Sequence, residues 1–229
     1  MTLEICANSY QSALNAEVSG AHRIELCTEL SVGGLTPSYG ELQQVTKAIS
    51  IPVHVLIRPR SGDFCYSEEE FEVMKTNIEL CRVAGVSGIV SGVLNKDRTL
   101  DVYRTRELMS LAKSMDFTFH RAFDEVNDPF KALEQLIDLG VNRILSSGQK
   151  EKAEDGLELL EALVQHADGR IGIMAGSGIA AHNVAKFKAI GITEVHASAS
   201  VLLDQTSDLF AVPQSISDPQ KIKNLLNAL

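Results

Sequence analysis

The chain has 229 residues, of which 45% are hydrophobic, and its 21 basic and 30 acidic side chains give a net charge of -9. An acidic chain without a basic run has little electrostatic attraction for nucleic acid or anionic lipid. No apolar stretch approaches the roughly 20 residues that cross a membrane, so we expect neither a nucleic-acid partner nor a membrane partner.

The four cysteines, Cys6, Cys27, Cys65 and Cys81, form no CxxC pair and no small-protein disulfide framework. The first residues enter a strand-like segment without the basic region and long apolar run of a signal peptide. These two observations predict a cytoplasmic protein with free thiols.

A local pattern recurs four times along the chain. A helix-like segment ends at a glycine, a short turn follows, and then a β-branched strand begins; the glycines are Gly20, Gly85, Gly140 and Gly191. Glycine is favoured just past a helix end because the left-handed cap leaves no room for a Cβ atom. The repeat therefore predicts helices that alternate with parallel strands.

Eight strands follow from these positions. They are Leu3–Cys6, Arg23–Cys27, Val53–Arg58, Gly88–Val93, Phe117–Phe123, Arg143–Ser147, Arg170–Ala175 and Glu194–Ser198. Helical patterns begin between them, near Ser9, Ser38, Ser67, Asp101, Asp128, Glu151 and Ala181. Ser67 and Glu70 form a capping box, and Asp128 is a cap before a proline at the first helical position.

Eight strands in one alternation predict an α/β fold, a single-domain (β/α)8 TIM barrel over residues 1–229. A doubly wound open sheet is the alternative, but no G-x-G-x-x-G follows the first strand. The segment 201–229 is predicted to be an irregular C-terminal tail with a short final helix that begins at Asp218-Pro219. This tail would cover the barrel or meet a partner subunit.

The outer face of each barrel strand packs on helices and must be apolar, so polar residues of the opposite parity face inward. Ile24 and Leu26 therefore face outward, while Glu25 and Cys27 face the lumen. The same parity places a further set of polar residues inside: Glu4, Cys6, His54, Arg58, Thr118, His120, His196 and Ser198. Buried charges cost several kcal/mol unless they are paired, so this set either forms a structural network or binds a ligand.

Residues at the carboxyl ends of the strands are the stronger functional candidates, because active sites of such barrels lie at that face. If the protein is an enzyme, we expect its catalytic groups among His120, Asp124, Glu25 and Arg58. A His120–Asp124 pair would serve as general acid and base, although an internal salt bridge is the structural alternative.

A glycine-rich loop after the seventh strand is the candidate anion site. Free backbone N–H groups at Gly176, Ser177 and Gly178, before a helix N-terminus, would hold a phosphate or another oxyanion. Ser198 and Arg60 would add donors; a turn required only for tight packing is the alternative. No G-x-S-x-G, HExxH or P-loop motif is present.

Cys6 and Cys27 end neighbouring strands, which lie about 4.8 Å apart in the pairing direction. Two thiols at that spacing can share Cu(I), which prefers thiolates, whereas the four ligands of a zinc site are not visible. The alternative is that the two cysteines are small apolar fillers.

Long motifs of this chain resemble the CutC copper-homeostasis proteins. The resemblance runs from about residue 2 to residue 200 and is carried by EICANSYQSALNAEVSGAHRIELC, GGLTPSYG, IPVHVLIRPRSGDFCYSEEEF, FTFHRAFDE, LGVNRILSSGQ, IMAGSGI and EVHASAS. It implies a TIM barrel, a cytoplasmic location, a homodimer or higher homo-oligomer, and Cys6 and Cys27 as Cu(I) ligands.

The leading hypothesis is therefore a Cu(I)-binding protein of the CutC type. The alternative is a barrel enzyme that acts on a small phosphorylated or carboxylated metabolite, with no evident organic cofactor. A third option is a scaffold whose polar lumen is only structural.

Overall fold

Eight parallel strands form a closed barrel in the computed structural model, which describes residues 1–204 and 213–229. The strands follow chain order around the barrel, and β8 pairs with β1. They are β1 Thr2–Ala7, β2 Arg23–Leu26, β3 Val53–Leu56, β4 Gly88–Ser91, β5 Asp116–Phe119, β6 Arg143–Ser146, β7 Gly172–Gly176 and β8 Glu194–Ala197. The predicted single-domain (β/α)8 barrel is confirmed.

Helices connect successive strands on the outside of the barrel. They are α1 Tyr10–Val18, α2 Tyr39–Ala48, α3 Glu68–Ala84, α4 Val102–Ala112, α5 Pro129–Leu139, α6 Leu157–Ala167 and α7 Val184–Ala189. The predicted caps are present: Ser67 and Glu70 bond reciprocally at the start of α3, and the Asp128 side chain accepts from the Lys131 N–H at the start of α5. Among the described helices, none is long and apolar enough to span a bilayer.

Several element boundaries differ from the predictions. β5 ends at Phe119 because the His120 side chain accepts from the Ala122 N–H and begins a 3-10 turn over Arg121–Glu125. Another 3-10 turn, Ala153–Gly156, delays the start of α6 to Leu157.

The C-terminal segment also differs from the predicted irregular tail. Strands β9 Ser200–Leu202 and β10 Ser215–Ser217 pair antiparallel, whereas the final helix, α8 Pro219–Ala228, begins at Asp218-Pro219 as predicted. The part of that segment at 205–212 lies outside the described residues. β10 lies against the first βα unit, where the Asn8 and Asn15 side chains donate to its Ser215 and Ser217 carbonyls at 2.9 and 2.8 Å.

The strand parity deduced from the sequence holds in the barrel. Ile24, Val53 and Val55 belong to the core between the barrel and its helices. A second, internal cluster contains Cys6, Cys27, Leu56 and Val90. The lumen therefore holds apolar side chains as well as the predicted polar ones.

Ion pairs fill the lumen near the amino ends of the strands. Arg23 donates to Glu4 and, at 2.6 Å, to Glu194. Arg143 donates to Asp116 at 2.7 Å and reaches Glu194 at 3.3 Å. These pairs compensate charges that would otherwise be costly to bury, and they give both arginines a structural role.

Glu4 is the carboxylate on which this network converges. Its side chain is fully buried and interacts with Arg23, with His196 Nδ1 at 2.8 Å and with His54 Nδ1 at 3.7 Å. Burial favours the neutral acid, but the His196 hydrogen bond and the Arg23 charge outweigh it and hold the pKa of Glu4 well below its ordinary value.

Glu4→Gln is expected to lower the free energy of unfolding by about 3 kcal/mol at pH 7, because it leaves buried cations without their partner. Since the folded-state pKa of Glu4 is lowered, this stabilisation is present above the unfolded value of 4.5 and is lost as the pH falls. The deficit of the variant, measured by urea unfolding, should therefore shrink between pH 5 and pH 3.

Glu134→Gln is the matched control, because the exposed Glu134 carboxylate pairs with Arg170 at 2.7 Å on the outer surface. Equal effects of the two substitutions would contradict the central place of Glu4 in the lumen.

Candidate functional site

A cavity of about 610 Å³ opens at the carboxyl ends of the strands. Polar side chains from six strands or the loops that follow them line it: Cys6, Glu25, Arg58, His120, Lys150 and His196. Apolar side chains, including Leu30, Leu56, Leu145 and Ile179, also form part of its wall. Its volume and mixed lining are those of a small-molecule site.

The two predicted thiols lie side by side. Cys6 Sγ and Cys27 Sγ are 3.5 Å apart, and both cysteines are reduced and buried. Cys6 lines the cavity, whereas Cys27 lies behind it against Gly34. The contact with Cys27 and the burial together raise the pKa of the Cys6 thiol. Cys65 and Cys81 lie elsewhere.

Glu25 and His196 join Cys6 in a cluster that can coordinate a metal ion. One potential ligand atom from each lies within 4.8 Å of the others. His196 is held by its Nδ1 hydrogen bond to Glu4. Burial opposes its protonation, but the neighbouring Cys6, Glu4 and Glu25 raise the pKa of His196 well above its ordinary value. Its imidazolium therefore supplies positive charge beside the thiols.

Glu25 is a buried carboxyl group that forms no hydrogen bond with the described residues. Its Oε2 atom has no partner within the described residues, and the nearest cation, His196 Nδ1, is 4.0 Å away. Burial and the nearby Glu4 charge raise the pKa of Glu25 to about 7, against the lowering effect of His196. A carboxyl group in this state can both donate and accept a proton near neutral pH.

His120 presents an unused donor. Its Nδ1 atom accepts from the Ala122 N–H at 3.1 Å, so a neutral ring carries its proton on Nε2. Burial and the Arg58 charge lower the pKa of His120 to about 3, which keeps the ring neutral. Nε2 is buried and bonds to none of the described residues.

Arg58 and Arg60 have separate surroundings although they are two residues apart. Arg58 is buried, lines the cavity and donates to three backbone carbonyls. Arg60 instead pairs with Glu70 at 2.6 Å and Asp63 at 3.0 Å in the loop before α3, and it is not part of the cavity wall. The carboxylates of Glu70 and Asp63 therefore already compensate the charge that Arg60 would need for the predicted anion-binding role.

Asp124 does not form the predicted pair with His120. Its carboxylate accepts from Arg121 Nε at 2.8 Å, Ser146 Oγ at 2.6 Å, and the Ser147 and Gln149 N–H groups at 3.0 and 3.1 Å. Asp124 thus connects the loop after β5 to the loop after β6. These contacts give it a structural role at the edge of the cavity.

The glycine-rich loop after β7 lacks the predicted helix N-terminus. α7 begins only at Val184, and Ser177 Oγ is engaged with the Glu151 carbonyl at 2.6 Å. A Cβ atom on Gly176 would lie 2.5 Å from Leu145 Cδ1, so a side chain at this position would require Leu145 to move. Ser177, Gly178 and Ser198 do line the cavity.

Two functional candidates were missed as site residues. The strand parity predicted that His196 faces the lumen. Its position beside Cys6, however, depends on the pairing of β8 with β1, in which His196 lies opposite Glu4. Lys150 lines the cavity from the loop after β6, where no periodic pattern indicates a direction.

Comparison with known proteins gives a consistent result. The model of the CutC family matches residues 1–201. The CutC family protein of Pectobacterium atrosepticum is 53% identical over 197 residues, covering 86% of this chain and 78% of that protein. The CutC family protein of Parabacteroides distasonis is 50% identical over 199 residues, with coverages of 86% and 82%.

A solved structure agrees with these relatives. The CutC protein of Streptococcus agalactiae, which is named for copper homeostasis, has a TM-score of 0.83 and 31% identity, covering 86% of this chain and 98% of that chain.

Asp124→Ala is expected to lower the free energy of unfolding by at least about 2 kcal/mol, because it leaves several buried donors without a charged acceptor. Thermal and urea unfolding measure this. Asp63→Ala is the control, because its side chain is 65% exposed. A fully stable Asp124 variant would contradict the structural role and return Asp124 to the catalytic candidates.

Proposed function

Because the chain belongs to the CutC family of copper-homeostasis proteins, we propose that it binds Cu(I) through the thiols of Cys6 and Cys27. The observation that carries this proposal is the 3.5 Å separation of their sulfur atoms at the edge of the cavity. Thiolate is the ligand type that Cu(I) prefers. The predicted cytoplasmic location and homo-oligomeric state stay predictions.

The charge around the thiols supports the same proposal. Two thiolates and one Cu(I) carry a net charge of -1, which is costly to bury without compensation. The His196 imidazolium, held by Glu4, lies beside Cys6 and offsets this charge. Glu25 would complete the ligand set if the metal takes a third ligand, whereas His196 would have to lose its proton, and with it the compensating charge, to do so.

The double variant Cys6→Ser/Cys27→Ser is expected to weaken Cu(I) binding by more than about a hundredfold. Loss of a residue that only supports a metal ligand weakens binding by up to about a hundredfold, and loss of the ligands themselves should cost more. Competition titration against a Cu(I) chelator under anaerobic conditions measures the affinity.

Cys65→Ser is the matched control for this titration, because Cys65 is a free thiol that does not line the cavity. An unchanged affinity in the double variant, or an equal loss in the control, would refute the proposed ligands.

A second candidate function is favoured by Glu25. An unpartnered carboxyl group in a closed lumen is costly, and its position on the cavity wall suits proton transfer to a bound small molecule. In this proposal the protein is a barrel enzyme acting on a small phosphorylated or carboxylated metabolite, and Glu25 is its acid–base group.

A thermal-shift screen that contains both Cu(I) and anionic metabolites separates the two functions, since a ligand stabilises the folded state that it binds. For a metabolite that both binds and is turned over, Glu25→Gln should abolish turnover and preserve binding. Turnover that survives this substitution would exclude Glu25 as the acid–base group.

A further inference from the structure

Arg58 is a buried cation whose charge has no partner. Arg23 and Arg143, the other buried arginines, each form ion pairs with two carboxylates. Arg58 is only 6% exposed, yet within the described parts of the chain its hydrogen-bond acceptors are all neutral. A buried charge without a counter-ion costs several kcal/mol, so this position is one where an anion would be strongly favoured.

The hydrogen bonds of Arg58 leave part of its guanidinium unused. Nη1 donates to the Val32 and Gly34 carbonyls at 2.8 and 2.9 Å, and Nη2 donates to the Gly62 carbonyl at 2.9 Å. Three of the five N–H groups are thus engaged, and the buried Nε has no partner among the described residues.

Tyr66 has a phenol on which the Arg58 charge acts, but it does not supply the missing charge. Burial raises the pKa of Tyr66 to about 12, with Arg58 acting in the opposite direction. The phenol is therefore neutral at physiological pH. Its hydroxyl oxygen also lies outside hydrogen-bond geometry with any described group.

His120 supplies a second unused donor on the same side of the cavity. The ring of Phe64 contacts both groups, with the Arg58 Cζ atom 5.1 Å and the centroid of the His120 ring 4.9 Å from its own centroid. All three residues line the cavity. The Phe64 ring thus fixes a guanidinium and a neutral imidazole N–H in one wall.

We propose that Arg58 and the His120 Nε2–H form a recognition site for the oxyanion group of a small carboxylated or phosphorylated ligand. Arginine suits both groups because its planar fork matches their oxygen atoms. The apolar wall formed by Leu30, Leu56 and Leu145 would contact the uncharged part of the ligand. This site deepens the second candidate function and does not depend on the thiol pair.

His120→Asn isolates the proposed donor. The shorter amide keeps an oxygen near the position of Nδ1, where it can accept from the Ala122 N–H, but it lacks the Nε2–H. Arg58→Lys keeps the charge and removes the fork. Arg60→Lys is the control, because Arg60 pairs with carboxylates outside the cavity.

The probes are glycerol 3-phosphate for phosphate, malonate for carboxylate and glycerol as the uncharged control. Calorimetric titration of the full-length protein is expected to show binding of at least one anionic probe and none of glycerol. His120→Asn and Arg58→Lys should each weaken that binding at least tenfold, whereas Arg60→Lys should leave it unchanged. The responses to phosphate and carboxylate identify the preferred class.

Absence of binding by both anionic probes, or binding that neither substitution weakens, would overturn the proposal. Thermal melting of each variant confirms that it is folded. If Arg58→Lys does not fold, the binding measured with His120→Asn decides the result. The Cys6→Ser/Cys27→Ser variant should bind the anion normally, and His120→Asn should bind Cu(I) normally. Failure of one proposal is therefore distinguishable from failure of the other.

Discussion

The closed barrel imposes the constraint on which the rest of the structure depends. Helices cover its outer face, so charged strand residues must turn toward the lumen, where water is scarce and charges need partners. At the amino ends of the strands this requirement is met by Arg23, Arg143 and their carboxylates. At the carboxyl ends, Glu25 Oε2, Arg58 Nε and His120 Nε2 have no hydrogen-bond partner within the described part of the chain. Function is therefore expected at the end where compensation is incomplete.

Much of this organisation could be predicted from the sequence. The strand period of two separates Ile24 from Glu25 without knowledge of any neighbour, and glycine caps mark the helix ends that precede four strands. The proximity of Cys6 and Cys27 also followed, because parallel neighbours end at the same face. These inferences need only local rules and a closed topology.

The pairing of polar groups could not be predicted in the same way. Arg58 and Arg60 share a parity, but β3 ends at Leu56, and beyond a strand end parity no longer indicates direction. Asp124 is engaged by the loop after β6 rather than by His120 in its own segment. Such partners are set by distances between loops, which a periodic pattern does not contain.

The hydrogen bond between Glu4 and His196 joins residues 192 positions apart in the chain, and this has a consequence for folding. The thiols come from β1 and β2, so they can meet early, after a short loop has closed. The imidazolium beside them arrives only when β8 closes the ring, and closing so long a loop is slow and entropically costly. A chain still open at that seam would carry both sulfur atoms without the cation that balances them, so ring closure is the step that gives the cluster its final electrostatic character.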